Sequence, residues 1–337
     1  MKKRTKRWLW AIVLLPCAGL ALAAAAMAFY AYSPLNPVQS PLQFSLKKGS
    51  SLRGAAQQMA DAGVLAKPVV FVVFARLMGK AASIKAGNYE VERPLTPLSL
   101  LRKVTEGDYT EDVITVVEGW TFQQMRKALD EHPAIRHDSG GLTNEEILRR
   151  LEIAEPSPEG WFFPDTYHFS KGSSDLGIMR RAHRLMRSAL TEQWKRRASD
   201  LPLATPYEAL ILASIVEKET GQAGERSLVA AVFVNRLRLG MKLQTDPTVI
   251  YGMGASFDGN LRRRDLAADT PYNTYLRTGL PPTPIALPGL ASIHATLNPA
   301  PSDVLYFVSR GDGTSHFSRT LAEHDRAVTR YQKSGKR

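Results

Sequence analysis

The segment that organises this chain is Leu210–Thr220, which reads Leu-Ile-Leu-Ala-Ser-Ile-Val-Glu-Lys-Glu-Thr. Its residues up to Val216 are apolar or small, and no turn residue interrupts them, so the sequence predicts a buried helix. Two carboxylates follow at once, Glu217 and Glu219. An apolar setting desolvates a carboxylate, which raises its pKa and lets it hold a proton near neutral pH, as a general acid must.

The two carboxylates of this segment have different expected roles. Residues two apart on a helix point roughly 200° apart, so Glu217 and Glu219 cannot face one pocket. We expect one of them to be the chemical group and the other to be an ordinary surface charge. The alternative is that both belong to the solvent-exposed end of a buried helix, because charged helix ends are common.

Charge and cysteine content exclude several classes of protein. The 337 residues carry a formal net charge of +12 at pH 7, with basic residues grouped near both ends. No nucleic-acid-binding motif accompanies that charge, so a membrane surface or an anionic polymer is a better partner than nucleic acid. The single cysteine, Cys17, lies in an apolar run, which leaves the rest of the chain without a disulfide or thiolate site. The histidines lack HExxH spacing, and we expect neither a metal ion nor a cofactor.

The N-terminal segment predicts a membrane anchor. Residues 1–7 are basic, and residues 8–32 are nearly uncharged and apolar. At about 1.5 Å per residue this run is long enough to cross a hydrocarbon core about 30 Å thick, with the basic flank remaining cytoplasmic. A cleaved signal peptide is the alternative, although the apolar run continues beyond its small-residue patch. The proline-containing residues 33–41 then predict a short stiff linker.

Residues 42–140 contain a weak repeat of strand, glycine turn and helix. In the first copy an alternating strand ends near Gly49, and Ser51 stands at the N-cap position of a helix. Gly119 and Thr121 take the same places in a later copy. This arrangement resembles LysM modules, which bind N-acetylated glycans. A small α+β unit without a ligand accounts for the same pattern equally well.

Residues 141–337 form the predicted catalytic domain, and the fold class predicted for the whole chain is α+β. Three segments of this domain are rich in Pro, Gly, polar and aromatic residues and predict rigid loops: 243–252, 271–275 and 279–289. Amide and carboxylate groups bond sugar hydroxyls, and tyrosine rings stack on sugar faces. The residues expected to line a glycan cleft are Gln244, Asp246, Asn273 and Tyr275. A proline-rich cap over the core is the alternative.

Four blocks of the sequence together resemble the endolytic murein transglycosylase (YceG-like) family. They are Glu159–Tyr167, Ala213–Thr220, Leu243–Gly252 and Tyr272–Pro282, and the resemblance covers nearly the whole chain. It implies that Glu217 is the catalytic acid of an enzyme that cuts the MurNAc–GlcNAc bond within nascent peptidoglycan strands. The products would carry 1,6-anhydroMurNAc ends, and the cleavage would terminate strand elongation. The resemblance also implies a single-pass inner-membrane protein with a periplasmic catalytic domain and peptidoglycan synthases as partners.

Two other functions stay open on the sequence. A membrane-tethered, non-catalytic peptidoglycan-binding scaffold needs no desolvated carboxylate, whereas a hydrolysing muramidase needs a second acid, such as Asp246 or Glu219. No partner carboxylate is visible in the motif around Glu217 itself. That residue alone can serve as acid and then as base if the C6 hydroxyl of the sugar attacks C1, because a tethered hydroxyl has a high effective concentration. The ends of the products distinguish a lyase from a hydrolase.

Overall fold

The computed structural model of the chain describes residues 18–19, 21–38, 40, 42–107 and 111–333. These residues form helices and small two-stranded sheets, which confirms the α+β class. The chain divides into two compact units: unit 1 is Met1–Asp112 with Phe169–Lys171, and unit 2 is Val113–His168 with Gly172–Arg337. This division falls at residue 112, whereas the sequence places the domain boundary at residue 140.

The predicted membrane segment lies only partly within the described residues. Residues 21–32 are helical and form α1, whereas residues 1–17 and 20 lie outside the described part of the chain. Among the residues that the structure describes, no helix is long and apolar enough to cross a membrane. The membrane span over residues 8–32 and the cytoplasmic position of residues 1–7 stay predictions.

The described residues of the predicted linker, 33–38 and 40, are hydrogen-bonded to unit 1. The N–H of Leu35 donates to the carbonyl of Leu95 at 2.7 Å. The guanidinium of Arg93 donates to the carbonyl of Pro37 at 2.5 Å. These residues therefore contact the rest of unit 1, and the stiff linker over residues 33–41 stays a prediction.

Unit 1 is built on an antiparallel pair of strands with helices around it. Its elements are β1 (Leu42–Leu46), α2 (Leu52–Asp61), α3 (Pro68–Leu77), β2 (Gly87–Val91) and α4 (Pro97–Glu106), and β1 pairs with β2. The rings of Phe44 and Tyr89 stack across the two strands with centroids 5.4 Å apart. The predicted N-cap at Ser51 is confirmed, since its side chain accepts a hydrogen bond from Gly54 N–H at 3.2 Å.

From residue 111 onward, the chain is mainly helical. Its elements are β3 (Glu111–Thr115), α5 (Phe122–Asp130), β4 (Ile135–Arg136), α6 (Asn144–Leu151), β5 (Thr166–Ser170), β6 (Ser173–Ser174), α7 (Asp175–Lys195), α8 (Pro206–Glu219), α9 (Arg226–Arg238), α10 (Asp246–Met253), α11 (Arg263–Leu266), α12 (Leu290–Leu297), β7 (Tyr306–Ser309), β8 (Ser315–Ser318) and α13 (Leu321–Val328). The pairs are β3 with β5, β4 parallel to β6, and β7 antiparallel to β8.

Helix α8 lies at the centre of unit 2. Thr205 caps its first turn, and Pro206 occupies a first-turn position where no N–H is needed. All residues of Ala209–Val216 are buried. The helix packs against α7, α9, α10 and α12. The buried helix predicted for residues 210–220 is therefore confirmed, with its end at Glu219.

The aromatic block that begins at Trp161 belongs to the core of unit 2. Phe162 is fully buried and stacks on Phe122 with centroids 5.0 Å apart. Trp161 stacks parallel to Tyr207 at 5.8 Å. These rings join α5 and α8 through the core, so the block serves packing.

One of the three predicted loops contains a helix. Within residues 243–252, α10 begins at Asp246 with Pro247 in its first turn. A proline there is tolerated because its missing N–H has no partner to lose. Residues 271–275 and 279–289 contain neither helix nor strand, as predicted.

Candidate active site

Glu217 lies in the last turn of α8 and is half-buried. The backbone N–H of Gly289 donates to its Oε2 at 2.9 Å. Gly289 is the N-cap residue of α12, so this carboxylate meets the positive end of a helix dipole. The sequence predicts a desolvated Glu217, but the structure leaves it partly open to solvent because it stands beyond the buried length of α8.

A second carboxylate, that of Glu118, lies beside the same glycine, Gly289. Its side chain is so close to Gly289 that a Cβ on that glycine would overlap its carboxyl group. Burial raises the pKa of Glu118, the charge of Glu217 raises it further, and Arg226 lowers it. The sequence shows no second acid in the Glu217 motif because Glu118 comes from a distant part of the chain. The two carboxylates converge on one glycine.

Backbone hydrogen bonds hold the turn that carries this second carboxylate. Gly119 N–H donates to Leu287 O at 2.9 Å, and Leu287 N–H donates to Trp120 O at 2.7 Å. The ammonium of Lys218 donates to Gly119 O at 3.2 Å. Gly119 has a φ of 76°, a left-handed conformation that favours glycine. The turn is thus bonded both to the loop before α12 and to the end of α8.

Glu219 faces a different set of residues. Its Oε1 accepts a hydrogen bond from the hydroxyl of Thr245. Burial raises the pKa of Glu219, and the charge of Asp246 raises it further. The interpretation of Glu219 as an ordinary surface charge is therefore wrong. Tyr275 donates its hydroxyl proton to Asp246 Oδ1 at 2.5 Å, so these predicted cleft residues lie together on the Glu219 side of α8.

Gln244 belongs to this same group and lies in an unusual backbone conformation. Its φ of 51° is left-handed, although it is not a glycine. Its N–H donates to Thr274 O at 3.1 Å, and its side-chain oxygen accepts a 3.4 Å hydrogen bond from Arg236. The side chains of Gln244 and Asp246 are exposed and that of Tyr275 is half-buried, so all three can reach a ligand.

Asn273 is fully buried and bonds only within its own loop region. Its side-chain nitrogen donates to Leu266 O at 3.0 Å and to Ala268 O at 2.7 Å. Its side-chain oxygen accepts from Tyr275 N–H at 2.9 Å. These bonds fix the loop and orient Tyr275, while the Asn273 amide itself has no surface exposed to solvent.

Glu159 is a deeply buried carboxylate, only 4% exposed. It accepts hydrogen bonds from Phe122 N–H at 2.9 Å and from the Tyr251 hydroxyl at 3.1 Å. Burial raises its pKa to about 7. The Tyr251 ring in turn contacts Tyr272, with centroids 4.9 Å apart. Glu159 thus joins three of the sequence blocks, a role that no local feature of the sequence reveals.

Asp130, His137 and Asp175 are the described residues that could hold a metal ion. Their ligand atoms all lie within 4.8 Å of one another. The carboxylate of Asp175, however, is fully buried and accepts hydrogen bonds from the N–H groups of Asp138 and Ser139. Its contacts are those of a structural residue at the start of α7.

Residues 44–330 match the model of the YceG-like family. The chain belongs to this family. It is similar to a protein named endolytic murein transglycosylase from Bacillus subtilis strain 168, with 30% identity over 324 residues that cover 90% of this chain and 89% of the relative. The resemblance predicted from the four sequence blocks is confirmed.

Further relatives of the family extend this comparison. A Streptococcus pneumoniae D39 protein, also named endolytic murein transglycosylase, is 26% identical over 325 residues. That alignment covers 86% of this chain but only 58% of the longer relative. A crystal structure of a YceG-like protein from Listeria monocytogenes has a TM-score of 0.52 at 27% identity and covers 85% of this chain and 98% of that one. The blocks that carry the family resemblance all lie in unit 2.

Proposed function

We propose that this protein is a peptidoglycan lytic transglycosylase that cleaves the MurNAc–GlcNAc bond within glycan strands, with Glu217 as its catalytic acid. Membership of the YceG-like family and the names of the B. subtilis and S. pneumoniae relatives support the substrate class. The observation that carries the proposal is the fixed, partly open carboxylate of Glu217 at the N-terminus of α12. A non-catalytic scaffold has no need of such a group.

In the proposed reaction, Glu217 donates its proton to the glycosidic oxygen as the bond to C1 breaks with oxocarbenium character. The ionised carboxylate then takes a proton from the C6 hydroxyl of the same MurNAc residue. The oxygen of that hydroxyl forms a new bond to C1, which leaves a 1,6-anhydro end and consumes no water. Gly289 N–H keeps the carboxylate aimed in both steps because it donates to only one of its oxygens.

Glu118 supports a second candidate function, a hydrolysing muramidase. A hydrolase needs a second carboxylate to activate water or to form a covalent intermediate. Glu118 approaches the same glycine that binds Glu217, so it is a better candidate for this role than Asp246 or Glu219. In a lyase, the same carboxylate would stabilise positive charge that develops at C1.

The proposed cleft continues to the other face of α8. Gln244, Asp246 and Tyr275 offer exposed or half-buried polar groups and an aromatic ring that suit a sugar. Asn273 shapes this surface from inside the loop through its hydrogen bond to the Tyr275 backbone.

We further propose that residues 8–32 anchor the enzyme in the inner membrane, with residues 1–7 cytoplasmic and the remainder periplasmic, where peptidoglycan synthases are accessible partners. Glycan binding by residues 42–140 is also part of the proposal. A cavity of about 510 Å³ in unit 1, lined by residues that include Glu90, Arg102 and Lys103, supplies groups that can bond sugar hydroxyls.

Mass spectrometry of the fragments that the full-length protein releases from purified glycan strands tests the reaction. A lyase yields 1,6-anhydroMurNAc ends, whose mass is one water lower than that of reducing ends. Reducing ends, labelled when the digest contains H₂¹⁸O, would instead establish the muramidase. Absence of any fragment, with intact binding to the strands, would favour the scaffold.

A further inference from the structure

Helix α3 is apolar on both sides. Its inner face, which includes Phe71 and Phe74, is buried in unit 1. On its outer face, Val69 is 73% exposed, Val73 is 44% exposed and Leu77 is 68% exposed. These three residues are spaced four apart and form one line along the helix, here called the α3 stripe. A surface helix ordinarily carries polar residues on its outer face, so packing within unit 1 does not account for the stripe.

The α3 stripe is next to the end of the N-terminal apolar run. Helix α1, the described end of that run, packs on α3 through an edge-to-face contact between Tyr30 and Phe74, with centroids 5.7 Å apart. Two other aromatic residues of α1 point to solvent, since Phe29 is 79% exposed and Tyr32 is 71% exposed. The segment predicted to enter the membrane therefore contacts α3, and it carries tyrosine, a residue enriched at membrane interfaces.

The charges in the chain segment that contains α3 have one sign. No Asp or Glu occurs between Asp61 and Glu90, whereas the same stretch contains four exposed basic residues, Lys67, Arg76, Lys80 and Lys85. Apolar residues flanked along the chain by basic residues are typical of surfaces that bind anionic lipid. A protein-binding surface has no comparable reason to exclude acidic residues over so long a stretch.

We propose that α3 lies flat in the membrane interface, with the α3 stripe among the acyl chains and the flanking basic residues at anionic lipid head groups. A helix of ten residues is about 15 Å long, so it can lie in the interface but cannot cross the bilayer. This contact holds unit 1 on the membrane surface at the point where the apolar run leaves it. The proposal is independent of the cleavage reaction, because Glu217, Glu118 and Gly289 take no part in it.

Spin labels on the full-length protein in vesicles test this contact. Cys17 is replaced with Ser, and single cysteines at Val69, Val73 and Leu77 carry a nitroxide, with a cysteine at the exposed Gln57 of α2 as control. In vesicles that contain phosphatidylglycerol, the α3 stripe labels should be relaxed strongly by oxygen and weakly by a water-soluble nickel complex, and the Gln57 label should show the reverse. Labels on the α3 stripe that behave like the Gln57 label would overturn the proposal.

Two further measurements separate a lipid contact from a protein contact. Stripe labels shielded from both relaxants would indicate a protein contact, and spin–spin broadening that disappears on dilution with unlabelled protein would identify a second copy; either result refutes lipid insertion. In a V69S/V73S/L77S variant, a label at Met78 should lose its oxygen relaxation, while the same label in a Leu321→Ser control should keep it. Leu321 and the three residues of the α3 stripe are all exposed, so both variants should melt at the same temperature as the parent. Unchanged oxygen relaxation at Met78 in the triple variant would also contradict the proposal.

Discussion

Glu217 and Glu219 are two residues apart at the end of one helix, yet their surroundings differ. Glu217 is half-buried and accepts a hydrogen bond from the Gly289 backbone. Glu219 accepts from the hydroxyl of Thr245, and burial raises its pKa. The apolar sequence before both carboxylates is the same, so it cannot decide which of them is desolvated. The elements that pack on each face of α8 decide it.

The largest effect that tests this comparison is expected for Glu217→Gln. The amide keeps an oxygen to accept from Gly289 N–H but has no proton to transfer, so turnover of glycan strands should fall by about 10²- to 10⁴-fold. The matched control is Glu219→Gln, on the opposite face of the helix, which should reduce turnover far less. Fragment release measured by chromatography, with melting followed by circular dichroism, gives both values. Equal losses in the two folded variants would show that the two carboxylates do not have the separate roles proposed here.

The effect of nearly full burial on a carboxylate can be tested at Glu159, in another part of unit 2. Its folded-state pKa of about 7 lies above its ordinary value of 4.5, so its contribution to stability is fully present below pH 4.5 and is lost as the pH rises through 7. The loss should amount to about 3 kcal/mol in the free energy of unfolding. Denaturant unfolding from pH 4.5 to pH 8 should therefore show a steeper decline for the parent than for Glu159→Gln. Parallel pH profiles would mean that Glu159 does not titrate in this range.

A smaller effect, confined to the surroundings of Glu217, is expected for Gly289→Ala. The glycine has an ordinary φ of −77°, so its backbone tolerates alanine, but the new Cβ would displace the carboxyl group of Glu118. Turnover should fall by up to about 10²-fold, because small shifts of catalytic groups are costly. Combined with Glu118→Gln, the two losses should be less than additive, since both act on the same carboxyl group. Strict additivity would show that Gly289 does not act through Glu118.

The smallest effect concerns the Glu219 side of α8. Tyr275→Phe removes the hydroxyl that donates to Asp246 and should cost about 1 kcal/mol of binding. If this surface binds substrate, KM should rise several-fold while kcat is nearly unchanged. Steady-state kinetics on strands of defined length measure both constants. A fall in kcat at constant KM would assign Tyr275 to the chemical step.

Features that depend on neighbouring residues in the chain were predictable from the sequence. The uninterrupted apolar run of α8 and the N-caps at Ser51 and Thr121 are local, and the structure contains all of them. The hydroxyl of each cap accepts from a backbone N–H three residues later, a contact that requires no information from elsewhere in the fold.

Features that depend on distant contacts were not predictable. Glu118 precedes the Gly119 of the repeat, and its approach to Gly289 depends on the hydrogen bonds that join Gly119 and Trp120 to Leu287. The burial of Glu159 likewise depends on Tyr251, which comes from another block of the sequence. Helix α10 was missed because Pro247 was interpreted as a loop residue, although a proline in the first turn is compatible with a helix.

The hydrogen bond from Gly289 to Glu217 also makes the enzyme observable by NMR. A backbone amide that donates to a carboxylate changes its proton and nitrogen chemical shifts when that carboxylate gains or loses a proton. Because the chain contains 24 glycines, ¹⁵N-glycine labelling reduces the spectrum to at most that number of backbone signals. The Gly289 signal, assigned through its loss in Gly289→Ala, would then report the charge of Glu217 in the resting enzyme, without substrate and without altering the acid itself.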